Sequence, residues 1–277
     1  MALFAAAASD IVVPVLILTG IGLFFAAMIM IVSRFFSVEE NQRQTEIRGY
    51  LPGANCGACG FSGCDGYAAA LADGDDNPSR CTVGGTALGT ELAVLLGLAP
   101  VSAEPVVAHV MCQGTTAHTS KRYEYSGTIS CSAAHGLFSG PNSCTYGCIG
   151  FGDCVYHCPY GAIDLIDGIA VINENKCKAC GMCVQTCPKN LIYIVPKRPG
   201  ATMVSCRNKW PGAQTRKNCT TGCIGCRKCY NSCEFGAITM DGPLAVINQE
   251  LCTRCGKCEE ACPTHAIRSY FHTKPVG

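Results

Sequence analysis

The chain has 277 residues, 24 of them cysteine, and 21 Lys and Arg against 20 Asp and Glu, for a formal net charge of +1. That length holds two or three small domains, and so much cysteine implies that metal ligation replaces part of the hydrophobic core that small domains lack. The composition excludes a chain that stays folded without its metal, and no aromatic-rich RNA motif or recognition-helix signature supports nucleic-acid binding.

At the N-terminus, Ile11 to Val32 is a 22-residue stretch without a charged side chain, bounded by Asp10 and Arg34. At about 1.5 Å per residue it can cross a hydrocarbon core of about 30 Å, so residues 1–34 are predicted to form one transmembrane anchor. Pro14 is expected in the first turn, where a missing N–H costs little. No basic region precedes the apolar run and no clear small-x-small cleavage site follows it, which argues against a signal peptide. Asp10 before the helix and Arg34, Arg43 and Arg48 after it place the C-terminal side in the cytoplasm, a reducing compartment where thiols stay unoxidised.

Residues 35–98 carry a first cysteine module, Leu51-Pro-Gly-Ala-Asn-Cys56-Gly-Ala-Cys59-Gly-Phe-Ser-Gly-Cys64, closed by Cys81. Its glycines let backbone amides approach inorganic sulfide closely, which suits a [4Fe–4S] loop better than a zinc knuckle. Thr90 to Leu98 reads as a short apolar helix ending at Gly97 and Pro100. Residues 99–130 read as a linker containing the strand-like Val106–Met111, and Gln113 to Pro141 look loop-rich. His109, His118 and His135 fall there; isolated histidines in such a region are more often solvated or packed than metal-bound.

The remainder is a duplication. Cys131, Cys144, Cys148, Cys154, Cys158, Cys177, Cys180, Cys183 and Cys187 each become another cysteine when 75 is added: Cys206, Cys219, Cys223, Cys229, Cys233, Cys252, Cys255, Cys258 and Cys262. Residues 131–198 and 199–277 are therefore two copies of one unit. Cys177 to Pro188 and Cys252 to Pro263 both read C-x₂-C-x₂-C-x₃-C-P, in which three thiolates wrap one cubane and the fourth serves its neighbour. Neither zinc nor disulfides require that run twice, followed by short strands.

In the second copy the exchange assigns one cluster to Cys223, Cys226, Cys229 and Cys262 and another to Cys252, Cys255, Cys258 and Cys233. In the first, Cys177, Cys180, Cys183 and Cys158 form one set. Its companion uses Cys148, Cys154 and Cys187, but Phe151 occupies the position equivalent to Cys226, so the fourth ligand comes from Cys144 or Cys112, with Cys144 preferred. That leaves Cys112, Cys131, Cys206 and Cys219 for a sixth [4Fe–4S] cluster bridging the copies, against the alternative of buried free thiols. Five or six clusters are thus expected. The fold class is α+β: a transmembrane helix, a small Gly-rich [4Fe–4S] module and two tandem bacterial-type 2[4Fe–4S] ferredoxin-like units.

Charge is uneven, with 6 Lys/Arg against 15 Asp/Glu in residues 1–175 and 15 against 5 in residues 176–277. Cations offset the negative charge of thiolate-bound clusters, and they also steer an acidic redox partner. The one early glycine cluster, Gly20 to Gly22, lies inside the apolar helix, so no dinucleotide fingerprint is present. Pro199-Gly-Ala-Thr202 is no convincing flavin site.

An N-terminal membrane helix, the LPGANCGACGFSGC module closed by Cys81 and C-terminal ferredoxin repeats together resemble the B subunit of the Rnf complex, the ion-translocating ferredoxin:NAD⁺ oxidoreductase of bacteria. The resemblance covers essentially the whole chain. It implies an electron-entry subunit that takes electrons from soluble reduced ferredoxin and passes them to membrane and flavin-bearing partner subunits, at the cytoplasmic face of the bacterial inner membrane. Nicotinamide chemistry then falls to another subunit. The chain departs from short family members, which carry one ferredoxin pair; an iron–sulfur subunit of another membrane-bound oxidoreductase is the alternative.

Overall fold

The computed structural model describes residues 2–35, 41–75, 77–99 and 104–271. These fall into two compact units, Met1–Thr45 and Glu46–Gly277.

The first unit is dominated by helix α1 (Ala2–Phe35). The alanine-rich Ala5–Ala8 favours helix ahead of the apolar run, so α1 starts earlier than expected and Pro14 lies in its interior rather than in its first turn. Val15–Arg34 is a 20-residue stretch of mean hydropathy 2.7, none of it buried. Val15–Arg34 therefore has the length and composition of a membrane span. The side chain of Asp10, which entered the orientation argument, lies outside the described residues.

The second unit begins with a three-helix module. Helices α2 (Gln42–Tyr50), α3 (Cys64–Ala72) and α4 (Gly85–Leu96) bury Ile47, Leu51, Tyr67, Leu71, Leu88 and Leu92 together, each apolar side chain contributing about 1.5–3 kcal/mol. The Tyr67 hydroxyl donates to the Asn77 carbonyl (2.9 Å) and accepts from the Arg80 amide (3.3 Å), which fastens the loop delivering Cys81. Helix α4 stops at Gly97, whose φ of 70° lets the Gly97 and Leu98 amides turn back onto the carbonyls of Val94 and Ala93.

Strand β1 (Val106–Val110) and helix α5 (Cys131–His135) precede the first duplicated framework: α6 (Asp153–Tyr156), β2 (Ile163–Ile166), β3 (Ile169–Ile172), α7 (Met182–Thr186) and β4 (Ile192–Pro196). The second copy follows as β5 (Ala201–Val204), α8 (Gly212–Asn218), α9 (Lys228–Asn231), β6 (Ile238–Asp241), β7 (Leu244–Ile247), α10 (Lys257–Glu260) and β8 (Ile267–Tyr270). Each copy makes two antiparallel ribbons: β2 with β3 and β1 with β4 in the first, β6 with β7 and β5 with β8 in the second. The β2–β3 hairpin closes on Asp167 and Gly168, both at positive φ (48° and 81°), as a two-residue turn matched to strand twist requires.

The pairing moves β1 out of the expected linker and into the first repeat's sheet. It also exposes a second offset. Val110 faces Ile192 as Val204 faces Ile267, so β1 and β5 correspond at a spacing of 94 while everything from Cys144 onward corresponds at 75. The cores match accordingly: Val110, Cys154, Ile163, Ala170, Cys183 and Ile192 are buried in one copy, and Val204, Cys229, Ile238, Ala245, Cys258 and Ile267 in the other. Val107, Val195 and Met203 pack where the two copies meet.

Candidate metal centres

Three cavities in the second unit are lined by four cysteine side chains each and a fourth by five, and short local segments put most of them there. One holds Cys158, Cys177, Cys180 and Cys183; a second holds Cys223, Cys226, Cys229 and Cys262. In both, three of the cysteines come from a loop that turns into a one-turn helix, with Gly181 at φ 79° before α7 and Arg227 at φ 59° before α9, and the fourth, Cys158 or Cys262, follows α6 or α10. Gly150 and Gly225, two residues past Cys148 and Cys223, are likewise at positive φ. A Cβ on Gly150 would meet the Gly168 carbonyl oxygen at 2.4 Å, and one on Gly225 the Pro243 oxygen at 2.8 Å, so only glycine lets these loops lie on the hairpins.

The third cavity changes one assignment. It is lined by Cys131, Cys148, Cys154 and Cys187, not by Cys144. The cause is α5: Ser130 caps it, and the Asp153 carboxylate accepts hydrogen bonds from the Cys131 amide (2.9 Å), the Ser132 amide (3.0 Å) and the Ser130 hydroxyl (2.9 Å). Burial works against ionisation of Asp153, yet these donors hold its carboxyl below the usual range. Phe151, which stands where the other copy has Cys226, packs against Tyr125 (5.4 Å between ring centroids) and joins Cys131, Ala134 and Ile149 in a small satellite core. The residue that displaced a sulfur thus helps hold its replacement.

The fourth cavity lies between the copies and is lined by Cys112, Cys144, Cys148, Cys206 and Cys219, of which Cys148 also lines the third. Its lining differs from the expected set of Cys112, Cys131, Cys206 and Cys219 in having Cys144 where that set has Cys131. Cys112 follows β1 as Cys206 follows β5, and the Cys148 amide donates to Cys112 Sγ (3.4 Å) as the Cys223 amide does to Cys206 Sγ (3.3 Å). The spacing of 75 between Cys131 and Cys206 is therefore not a structural equivalence; the other eight pairs are consistent with one.

The remaining cysteines form two further groups. Cys64, Cys59 and Cys81 pack in or against the three-helix core, and Cys56 and Cys64 lie close enough to Cys81 to act on its charge. Cys252 and Cys255 act likewise on Cys258, while Cys233 joins the core containing Cys258. The Cys56 module abuts the first repeat: the Thr82 hydroxyl donates to the Ala179 carbonyl (3.2 Å), and Tyr160 lies within electrostatic reach of Cys180 and Cys158 on one side and Cys56 and Cys81 on the other.

The sulfurs fit iron–sulfur cubanes. Among the described residues no three His, Cys, Asp or Glu side chains close on a single-ion position; the thiols instead gather in sets of four or five around shared cavities, the donor set an iron–sulfur cluster takes. Burial pushes the thiols of Cys112, Cys154 and Cys183 up to about 12, and those of Cys206, Cys229 and Cys258 up to about 11. Thiolates packed this way form only around a cation that supplies the missing charge. Backbone amides of Ala162 and Ala179 donate to Cys158 Sγ and Cys177 Sγ (both 3.4 Å), contacts that tune a cluster's potential. Sequence reading missed these donors because their positions depend on the loop's conformation and not on side-chain type.

None of the three flagged histidines lines the four cysteine cavities. His109 packs edge-on to Tyr270 (4.3 Å) with its pKa lowered to about 4 by burial, and His118 Nδ1 hydrogen-bonds the Thr220 hydroxyl (2.8 Å).

Comparison with known proteins agrees with this geometry. A family of Fe-S cluster modules matches residues 51–83, and two 4Fe-4S binding domain families match residues 148–162 and 223–237 and residues 170–193 and 245–268. The chain binds multiple [4Fe–4S] clusters. It is 39% identical over 93% of its length to the B subunit of the Na⁺-translocating ferredoxin:NAD⁺ oxidoreductase complex of Acetobacterium woodii, covering 77% of that protein. It is 36% identical to the B subunit of the ion-translocating oxidoreductase complex of Methanosarcina acetivorans, over 94% of this chain and 98% of that one. It is 38% identical to the B subunit of the proton-translocating ferredoxin:NAD⁺ oxidoreductase complex of Clostridium ljungdahlii, over 94% and 93%. With such identity across almost its whole length, the chain belongs to the family of B subunits of Rnf-type ion-translocating oxidoreductase complexes, as an iron–sulfur electron-transfer protein.

Proposed function

We propose that this chain takes electrons from a reduced soluble ferredoxin and relays them through six [4Fe–4S] sites to membrane and flavin-bearing subunits of its complex. When bound, each cluster would take up and release one electron at a time. The grouping of the cysteines supports six sites in one sequence. The order runs from Cys233/252/255/258 to Cys223/226/229/262, through the inter-repeat set Cys112/144/206/219 to Cys131/148/154/187, then Cys158/177/180/183 and Cys56/59/64/81. The cavity between the repeats carries this reading, because without a site there each ferredoxin-like unit would be a separate pair. Helix α1 would anchor the chain in the bacterial cytoplasmic membrane with the cysteines on the cytoplasmic side, as its flanking arginines favour. Residues 1–34, 35–98, 104–198 and 199–277 are then the anchor, the first module and the two ferredoxin-like units.

The test is an iron count with an EPR-monitored redox titration of anaerobically purified protein. Six sites require about 24 irons per chain. A fully loaded preparation that levels off at about 20 removes the inter-repeat site. Deleting residues 1–33 should release a soluble, brown, redox-active fragment.

A further inference from the structure

The two repeats offer the same face to different surroundings. In the first, Ala179 and Cys180 are 3% and 8% exposed, because the Cys56 module sits there, with Thr82 bonded to the Ala179 carbonyl and Tyr160 half-buried beside it. Adding 75 gives Arg254, Cys255 and Phe235 in the second repeat. All three are exposed, Phe235 by 49%. Nothing in the described chain covers them. Met182, next to the first contact, becomes Lys257, which is exposed and pairs with Glu234 (2.5 Å); Arg254 donates to the Pro199 carbonyl (3.4 Å). Gly152 and Asp153 similarly become Arg227, just ahead of α9, and Lys228, its first residue, and α9 packs against α10. The second copy gains cations at these four positions, loses those of Lys176, Lys178 and Lys189, and adds Glu234, Glu250, Glu259 and Glu260; over the whole copy the formal charge is +5 for residues 199–277 against +1 for residues 131–198, and its cover is lost.

We propose that the bare face of the second repeat, formed by Phe235, Arg254, Cys255 and Lys257, is the docking surface for an acidic iron–sulfur carrier protein. It would mimic the contact that the Cys56 module makes with the first repeat. That contact already shows what this face accommodates: a second cysteine-bound cluster module, brought against the loop of a ligand cysteine through a backbone carbonyl and an aromatic ring. The bare copy adds positive charge, which attracts a negatively charged partner and accelerates its arrival. An exposed phenyl ring gives the contact a centre that excludes water. On docking, the carrier is oxidised by one electron and this chain is reduced by one at the Cys255 site. The proposal deepens the ferredoxin reading above and rests on it.

The full-length, cluster-loaded chain should be mixed with a reduced acidic two-cluster ferredoxin in a stopped-flow spectrometer across a series of salt concentrations. Binding of the oxidised ferredoxin is measured in parallel. Arg254→Glu should slow reduction at low salt by about tenfold or more and flatten its salt dependence, and should weaken binding. Phe235→Ala should weaken binding with the salt dependence retained. Reduction by dithionite, which needs no protein docking, should be unchanged in both, as should all readings for Lys121→Glu, an exposed cation of the other repeat. Iron content checks that each variant is loaded; should Arg254→Glu lose clusters, Arg254→Gln and Phe235→Ala still decide. Wild-type rates and affinities in both face variants would overturn the docking site. A wild-type chain that dithionite reduces and ferredoxin neither reduces nor binds would overturn the ferredoxin reading itself, and this proposal with it.

Discussion

The two ferredoxin-like repeats share a framework and differ where each meets something else. From Cys144 onward their helices, strands and central core residues match at a spacing of 75, yet the cavity of the first repeat takes one of its cysteines, Cys131, from outside that framework, and that of the second takes Cys226 from within it. The interval from Cys112 to Cys144 is 19 residues longer than that from Cys206 to Cys219, and the excess accommodates α5 and Cys131. Each cavity therefore keeps four lining cysteines although one of the four comes from a different segment. Four inward-facing thiols around a void are required, and the fold can supply the fourth from any segment that reaches the rim.

The sharpest way to break this comparison is to remove the displaced ligand. Cys131→Ser should cost the first repeat one cluster, about four irons per chain, with loss of one EPR-active centre; Cys226→Ser should do the same in the second. Cys144→Ser should leave the Cys148/154/187 site loaded and empty the inter-repeat site. The double variant Phe151→Cys, Cys131→Ser rebuilds in the first repeat the arrangement of the second, and should recover iron relative to Cys131→Ser. Full iron in Cys131→Ser alone would show that Cys131 is a bystander.

What was legible in the sequence and what was not follows the same division. The runs Cys177–Cys187 and Cys252–Cys262 could be read because consecutive ligands on one loop fix their own spacing, and the helices and strands between them repeat with it. The inter-repeat cavity draws Cys112, Cys144, Cys206 and Cys219 from four separated segments. Its membership depends on strand pairing, since only the register of β1 on β4 and of β5 on β8 shows that Cys112 matches Cys206. The accidental spacing of 75 between Cys131 and Cys206 concealed that match. The position of Pro14 was missed for a different reason: charge bounds an apolar run, whereas helix propensity decides where the helix begins.

The hairpin contacts give the next largest effect. Gly150→Ala and Gly225→Ala both force a Cβ into a carbonyl oxygen at positive φ, and each should destabilise its repeat by about 2–4 kcal/mol, with early loss of the neighbouring site on heating. Gly150 should be the worse of the two, its Cβ falling 2.4 Å from Gly168 O against 2.8 Å from Pro243 O at Gly225. Equal melting temperatures for the two variants would mean that the repeats relax alike and that this difference in clearance carries no energetic weight.

Smaller still is the effect expected at Asp153, whose carboxylate ties α5 to α6. Asp153→Ala removes acceptors for two amides and a hydroxyl, a loss of about 1–2 kcal/mol by analogy with helix caps. Iron should leave the Cys131 site faster while the second repeat is unaffected. At the equivalent position, Lys228→Ala should do nothing of the kind, because Lys228 has no such tie to a ligand helix. If both variants released iron at the wild-type rate, packing by Phe151 alone would suffice to hold Cys131.

The smallest effect is placed where the repeats join. Arg198 forms a two-point pair with Glu104 just ahead of β1, with Nη2 2.6 Å from Oε2, and also donates to the Gln249 carbonyl (2.7 Å) in the second copy. The hydrogen bond from Arg198, and then its charge, hold the Glu104 carboxyl below its usual range. Because the folded pKa is the lower one, the pair's stabilisation is present above the unfolded carboxyl value, about 4.3, and is lost as pH falls through the folded value. Glu104→Gln should therefore lower the melting temperature slightly at neutral pH and low salt. The difference from wild type should shrink as salt rises and disappear once acid has protonated Glu104 in both states. A deficit that persists unchanged in acid would assign the effect to packing around Arg198, and the junction between the repeats would then owe nothing to this charge pair.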